Sequence, residues 1–355
     1  MDTGESDDSA CEGDVDHAQD QDEQDAPEEQ DEQQDDGDEP APCAMSVRMV
    51  GELGERWRVL RRLGEGTYAK VYLGAPRAAS ESEFPPRVAI KRYKQTSVRG
   101  EGLAETLLRE LALMTVLRQH PHANVMRLHE VCYCTGARPS VNAVLEYMPH
   151  TLEAVLDDEQ VPHSWAAVAP LLRQLLAALA HLHALGMVHR DLSVGNVFLS
   201  SSEIGRARVK LGDFNLSKMV APNMTPGLVT LNYRAPELLC EARQYGTEID
   251  MWSCGCVAAE LLRGSILFEG GNEVEVLAII LATLGMPDAR LARRLGLQLK
   301  RVQRQADRER SLLGGRTLVD RLYTSDPLAL QLCCGMLALD PALRITAPQA
   351  LALLG

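Results

Sequence analysis

Between residues 55 and 95 apolar and polar positions alternate. The stretch "WRVLRRLGEGTYAKVYLG" reads as a β-hairpin, and after a loop holding Pro76, Pro85 and Pro86, "RVAIKRY" reads as a third strand. The period then changes. Residues 101–118 ("EGLAETLLRELALMTVLR") repeat their apolar positions every three to four residues, as one face of a helix does. Two further short strands are predicted in "VMRLHEVCYC" and "VNAVLEYM". From about residue 150 the pattern is mostly helical, with helices expected over 165–186, 249–263, 272–284 and 326–338. No internal repeat interrupts this order. The layout is α+β and bilobal: a small β-rich lobe over 51–147, then a larger α-helical lobe over 148–355.

Charge divides the chain differently. Residues 1–40 hold 19 Asp and Glu and no Lys or Arg, which leaves 31 acids against 36 bases in the remainder. The formal charge of −14 therefore belongs to a tail, and the remainder is mildly basic. A segment such as "EEQDEQQDDGDEP" cannot bury enough apolar surface to offset its ordering entropy, so residues 1–50 are expected to be a disordered acidic tail. Two roles stay open for it: a solubilising tail, or a docking or autoinhibitory arm. The second would bring it against residues 290–310, which carry eight basic and two acidic residues.

The apolar stretch "AAVAPLLRQLLAALAHLHALG" is interrupted by Arg173, Gln174, His181 and His183, and reads as a buried helix. No signal peptide is read at the acidic N-terminus. The nine cysteines form no CxxC pair, which points to reduced core thiols and an intracellular protein, nuclear or cytoplasmic. Neither a nucleic acid nor a membrane is expected as a partner.

Five short motifs carry chemistry. In "LGEGTYAKV", Gly64 and Gly66 allow backbone to approach a phosphate closely. The residues after them, "KVYLG", read as a strand and not as a helix, which argues against a dinucleotide-binding site. In "VAIK", Lys91 sits on a strand between apolar neighbours. It could snorkel, or it could be buried against a counter-charge such as Glu110 on the next helix. "HRDLSVGN" sets Asp191 five residues before Asn196 in an apolar frame, a spacing suited to a loop that handles a phosphate and a metal ion. "LGDFNLS" places Asp213 at a turn after an apolar run. "YRAPE" (233–237) and "DMWSCGC" (250–256) complete the set.

In order and spacing these motifs resemble the signature set of eukaryotic protein kinases, over roughly residues 57–352. "GEGTY", "LREL", "VTLNYRAPELL", "YGTEIDMWSCGC", "LATLGMPD" and "DPALRITA" look like the cyclin-dependent kinase branch of the CMGC group. The resemblance implies a bilobal protein kinase fold and an ATP- and magnesium-dependent transfer of phosphate to Ser or Thr hydroxyls of proteins. It implies a nucleotide site made by Leu63, Gly64, Glu65, Gly66, Thr67, Tyr68, Ala69, Lys70, Val71 and Ala89. The backbone of Glu146 and Met148 would hold the adenine, with Leu145 behind it. Lys91 would hold the α- and β-phosphates, Glu110 would fix Lys91, and Asp191 would accept the substrate's proton. Asn196 and Asp213 would bind the metal. Glu237 would pair with Arg344, and Asp250 would brace the catalytic loop.

For regulation, the resemblance implies an activating phosphate on Thr225, held by Arg109, Arg190 and Lys218. It implies inhibitory positions at Thr67 and Tyr68, a cyclin-like activator against the helix around Glu110, and a preference for Ser/Thr-Pro substrates set by Arg234.

Four positions depart from that pattern. Ala69 stands where a third glycine is expected. Ser193 replaces a lysine that would touch the transferring phosphate. Asn215 replaces a glycine, as the residue that best tolerates a left-handed backbone after glycine. Asn232 replaces a tryptophan, and the segment from Asp213 to Thr225 is a few residues short. The alternative to an active or attenuated kinase is a pseudokinase, a nucleotide- or partner-binding scaffold.

Overall fold

The computed structural model describes residues 49–77, 84–94, 105–135, 139–158, 161, 163–224 and 230–355. Residues 1–48 of the expected tail and Thr225, on which two of the sequence expectations fall, lie outside these residues.

The smaller lobe is a six-stranded sheet in the order β1-β5-β6-β4-β3-β2. Its strands are β1 (Met49–Glu52), β2 (Trp57–Glu65), β3 (Ala69–Pro76), β4 (Val88–Tyr93), β5 (Leu128–Cys134) and β6 (Ser140–Glu146). The predicted hairpin is β2–β3, and β4 is the predicted third strand. Strand β1 moves the expected tail boundary. Met49 and Glu52 pair in parallel with Val131 and Tyr133 of β5, because the exposed edge of that strand offers unpaired backbone groups. The short helix α1 (Leu53–Arg56) then leads into Trp57. Trp57 is fully buried, packs on Phe84 with ring centroids 4.8 Å apart, and donates its indole N–H to Glu130. Strand β2 alternates in sequence, yet after Trp57 it is exposed along nearly its whole length, as an edge strand is when nothing covers it.

Helix α2 (Glu105–Gln119) crosses the sheet and buries Glu110, Leu111, Leu113, Met114 and Leu117. A buried carboxylate among four buried apolar residues requires a counter-charge.

The larger lobe is built on α4 (Trp165–Ala184) and α6 (Glu248–Arg263). Every residue of α6 from Ile249 to Leu262 is buried, so this helix is enclosed on all sides. Gly255 lets it approach α11 (Pro327–Met336) and the residue after it: a Cβ there would lie 2.8 Å from the Leu337 side chain. Gly264 ends α6 in the left-handed conformation at φ 74°. Helix α4 buries Val168, Leu171, Leu172, Leu175, Leu176 and Leu179, and packs on α6 and on α12 (Ala347–Leu354), as its interrupted apolar pattern predicts. Helix α3 (Leu152–Leu156) comes after the two-residue strand β7 (His150–Thr151), and α7 (Glu273–Leu284) comes after α5 (Pro236–Leu239) and α6. The basic stretch 290–310 forms two helices, α8 (Ala289–Arg294) and α9 (Leu299–Leu312), separated where Gly296 turns the chain at φ 69°. Helix α10 (Leu318–Arg321) is a single turn.

Four short strands flank the loops that hold Asp191, Asn196 and Asp213. They are β8 (Met187–Val188), β9 (Val197–Leu199), β10 (Val209–Leu211) and β11 (Lys218–Met219). Strands β10, β9 and β7 form one small sheet, and β11 and β8 form another.

Candidate active site

The glycine segment turns between two strands, as its sequence predicts. Leu63, Gly64 and Glu65 end β2, Thr67 and Tyr68 lie in the turn, and Ala69, Lys70 and Val71 begin β3. The turn is tied down by the Gly66 amide donating to the Ala69 carbonyl (2.9 Å) and by Lys94 Nζ donating to the Gly66 carbonyl (2.7 Å). A Cβ added at Gly64 would meet no atom within 4 Å, so protein packing does not demand this glycine. Ala69 is buried within β3, paired with Tyr93, and needs no glycine's backbone freedom.

Lys91 is buried and surrounded by oxygen. Its Nζ lies 2.6 Å from Glu110 Oε1, 2.8 Å from Asp213 Oδ1 and 3.0 Å from Asn215 Oδ1. It does not snorkel. Burial works against its charge, and the Glu110 and Asp213 carboxylates overcome this, raising its pKa above the ordinary lysine value. Burial pushes Glu110 up, with Lys91 opposing. Asp213 sits at the opening of the cleft with its side chain 35% exposed. Burial would raise its pKa, but Lys91 outweighs that and holds it below the usual carboxylate value. Asp213 takes a positive φ of 60°, a conformation a non-glycine residue keeps only where its surroundings hold it. Asn215 does not adopt the left-handed backbone expected of it. Its side chain reaches Lys91 instead, a contact that glycine could not make. Phe214 is buried and meets the His189 ring at an angle, with centroids 5.3 Å apart.

Asp191 lies beside Asn196, whose Nδ2 donates to the Asp191 carbonyl (2.7 Å) and to Asp191 Oδ2 (2.9 Å). With its amide nitrogen so engaged, Asn196 keeps its Oδ1 for another partner. The other Asp191 oxygen accepts from Thr230, through Oγ1 at 2.7 Å and the backbone N–H at 3.2 Å. Among the described residues no cationic side chain pairs with Asp191. Ser193, one residue on from Leu192, is buried.

The loop is braced from below by a fully buried carboxylate. Asp250 accepts from the His189 amide (2.8 Å), the Arg190 amide (2.9 Å) and His183 Nε2 (2.9 Å). Arg190 has φ 69°, so Asp250 fixes a second left-handed residue inside the motif. His189 donates from Nε2 to the Gly212 carbonyl (3.0 Å), which ties the Asp191 loop to the Asp213 loop. Glu237 and Arg344 form a buried two-pronged pair at 2.6 and 3.0 Å.

At the lobe boundary Ala89 pairs with Leu145. The Glu146 amide donates to the Arg127 carbonyl (2.9 Å), so only its carbonyl can serve an adenine. Met148 is buried just beyond. Of the cations expected around Thr225, Arg109 is paired with Glu105, the Arg190 guanidinium lies 5.9 Å over the Tyr245 ring, and Lys218 is buried in β11. Arg234 pairs with Glu273, and Asn232 accepts from the Gly270 amide at 3.3 Å.

Sequence reading missed Thr230, His183 and the Tyr233–Glu260 hydrogen bond of 2.6 Å. Each works on a residue distant in sequence, Thr230 on Asp191, His183 on Asp250 and Tyr233 on Glu260. A threonine seven residues before Glu237 carries no signal without the geometry that sets it against Asp191.

With two lobes meeting at a lysine–glutamate pair, a metal-type aspartate and an Asp–Asn loop, the class is that of phosphoryl-transfer enzymes. A family model described as the protein kinase domain matches residues 57–353, and the chain belongs to that family. Among curated proteins it is 34% identical to cyclin-dependent kinase G-2 of Oryza sativa subsp. indica, over 82% of this chain and 40% of the relative. It is 33% identical to cell division control protein 2 homolog 3 of Trypanosoma brucei brucei, over 84% of this chain and 90% of that one. The chain thus spans well under half the length of the rice kinase and nearly all of the trypanosome one. A solved structure of the CAK complex from Chaetomium thermophilum bound to ATP-γ-S contains a similar chain, 30% identical, with a TM-score of 0.67. That match covers 84% of this chain and 90% of that one.

Proposed function

We propose that this chain is an ATP-dependent protein serine/threonine kinase of the cyclin-dependent type, directed to Ser/Thr-Pro sites. The observation that carries the proposal is the cluster at Lys91, where one buried ammonium is held by Glu110 and Asp213 at 2.6 and 2.8 Å. Phosphoryl transfer needs placement and charge neutralisation more than covalent chemistry. Lys91 would take the α- and β-phosphates, with Glu110 fixing its position. The segment from Leu63 to Val71 would cover the nucleotide, Ala89 would line its base site, and the Glu146 carbonyl and Met148 backbone would meet the adenine. Asp191, aimed by Thr230 and Asn196, would accept the proton of the attacking hydroxyl.

Asp213 and the free Oδ1 of Asn196 fit magnesium, a hard cation held by few protein oxygens together with substrate phosphates. When bound, it would supply charge neutralisation at the phosphates. The depressed pKa of Asp213 keeps its carboxylate ionised for that role.

A cyclin-like protein is the proposed activator, docking on α2, where Leu108 is 46% exposed. Phosphate on Thr225 would recruit Arg109, Arg190 and Lys218, and phosphate at Thr67 or Tyr68, in the exposed turn, would repel ATP. The seven cysteines among the described residues are free thiols, which supports an intracellular setting, nuclear or cytoplasmic. A scaffold that only binds nucleotide has no chemical need for Asp191, and its retention beside Asn196 and Thr230 favours catalysis. The missing lysine at Ser193 predicts slower transfer, since one lost charge-stabilising donor costs roughly 10²–10³ in rate. Magnesium-dependent transfer of γ-phosphate to a Ser-Pro peptide but not to its Ser-Ala counterpart tests the reading.

A further inference from the structure

A second cavity of about 580 Å³ opens at the lobe boundary. Of the nucleotide-site residues it shares only Glu146; Leu63, Val71, Ala89 and Met148 do not line it. Its walls come from the segment before β4, from the connection between α2 and β5, and from β10 and the residues before it. Four cations line it: Arg87, Arg127, Arg208 and Lys210. Glu146 is its one carboxylate, and that is already held by Lys210 at 2.7 Å. Arg87, Arg127 and Arg208 are exposed, and among the described residues none of the three pairs with a carboxylate. Two histidines join them. His129 Nε2 is buried without a hydrogen-bond partner among the described residues, and burial, with Arg127 close by, keeps its ring below the ordinary histidine value. His122 accepts from the Asn124 amide at Nδ1 and stacks on His181.

Three arginines without a carboxylate partner among the described residues line one cavity, a local excess of positive charge. Each offers a rigid fork of donors that matches phosphate or carboxylate oxygens. Four positive charges against one negative leave an excess that a single carboxylate would not balance. A phosphate monoester, with about two negative charges and three acceptor oxygens, suits it better. The volume lies in the range of sites that enclose a ligand of several residues or a drug-sized molecule, far above the need of a free phosphate ion.

We propose that this cavity binds a phosphorylated segment of peptide, with the phosphate monoester held by Arg87, Arg127 and Arg208. The site stands apart from the transfer chemistry. It would let a protein that already carries one phosphate be held by the kinase while the cleft acts elsewhere on it, or bind a phosphorylated regulator.

The test uses the full chain and a degenerate nonapeptide pool with one central phosphoserine, against the same pool with serine. Binding is read by fluorescence anisotropy at fixed ionic strength, since surface charge contacts are screened by salt. The phosphorylated pool should bind at least 10-fold more tightly. An Arg87→Gln/Arg127→Gln variant should lose that preference while keeping its thermal midpoint and its phosphate transfer to an unphosphorylated peptide. Equal binding of the two pools, or a preference unchanged in the variant, would overturn the proposal. So would inorganic phosphate binding as tightly as the phosphopeptide, or a mixed-sequence RNA oligonucleotide displacing it at lower concentration.

Discussion

Asn215 Oδ1 accepts a hydrogen bond from Lys91 Nζ at 3.0 Å, which joins the loop after Asp213 to the buried lysine by a second side chain. Glycine at that position would leave Asp213 as the loop's one hydrogen-bonding side chain on Lys91 among the described residues. A hydrogen bond to a charged group contributes about 1.5–3 kcal/mol. Asn215→Gly should therefore speed amide hydrogen exchange across residues 213–217 by at least ~10-fold, since local opening depends on local stability. Unchanged exchange would show that the bond does not restrain the loop.

Ser193 leaves Asp191 with hydroxyl and amide partners but no cation. Restoring the charge by Ser193→Lys should raise kcat by at least ~10-fold, a conservative fraction of what one preorganised donor supplies. The KM for ATP should move little, because the added ammonium acts on the transferring group and not on the adenine. A kcat that stays level would mean that Thr230 and the metal site already provide what the lysine would.

Thr230 aims Asp191 through its hydroxyl at 2.7 Å. Thr230→Val removes that donor and keeps the shape, and should lower kcat by roughly 10-fold, at the low end of the contribution of a positioned acid–base group. Thr230→Ser should retain most of it. Equal losses in the two variants would assign Thr230 to packing.

The lobes and the glycine turn were legible in sequence, because each depends on local periodicity or on a motif that folds with its own neighbours, whereas the Lys91–Glu110 pair was open on the residues alone and was implied by the family resemblance. The helices expected at 165–186, 249–263, 272–284 and 326–338 match α4, α6, α7 and α11 to within two residues at each end. What was not legible depends on distant pairing. Strand β1 forms because the β5 edge stands open, a fact of the sheet and not of "MVGE". The role of Asn215 was read from backbone tolerance, but the side chain answers to a lysine 124 residues away. Thr230 meets Asp191 across 39 residues, and the cavity's three arginines come from three separate segments, none basic enough to stand out alone.

Asp250 carries a pH signature. Burial would raise its pKa, but the His183 hydrogen bond and charge, with the His189 and Arg190 side of the loop, hold it below the ordinary aspartate value. A carboxylate whose folded pKa is depressed stabilises the protein above its unfolded pKa near ~3.9, and that contribution is lost as pH falls through the folded value. Stability measured by urea unfolding should fall more steeply below about pH 4 in the native protein than in Asp250→Asn, by up to ~1.4 kcal/mol per pH unit. Parallel acid limbs in the two proteins would contradict this assignment.

Lys91, Glu110, Asp191, Asn196 and Asp213 are proposed to transfer phosphate despite Ser193. The direct measurement is transfer of labelled γ-phosphate by protein purified from its own cells with its bound partners, on matched Ser-Pro and Ser-Ala peptides, beside an Asp191→Ala control. Magnesium-dependent labelling of the Ser-Pro peptide, lost in the control, is the expected result. Labelling no greater than the control's, in protein that still binds ATP with magnesium, would contradict it and leave the fold as a binding scaffold.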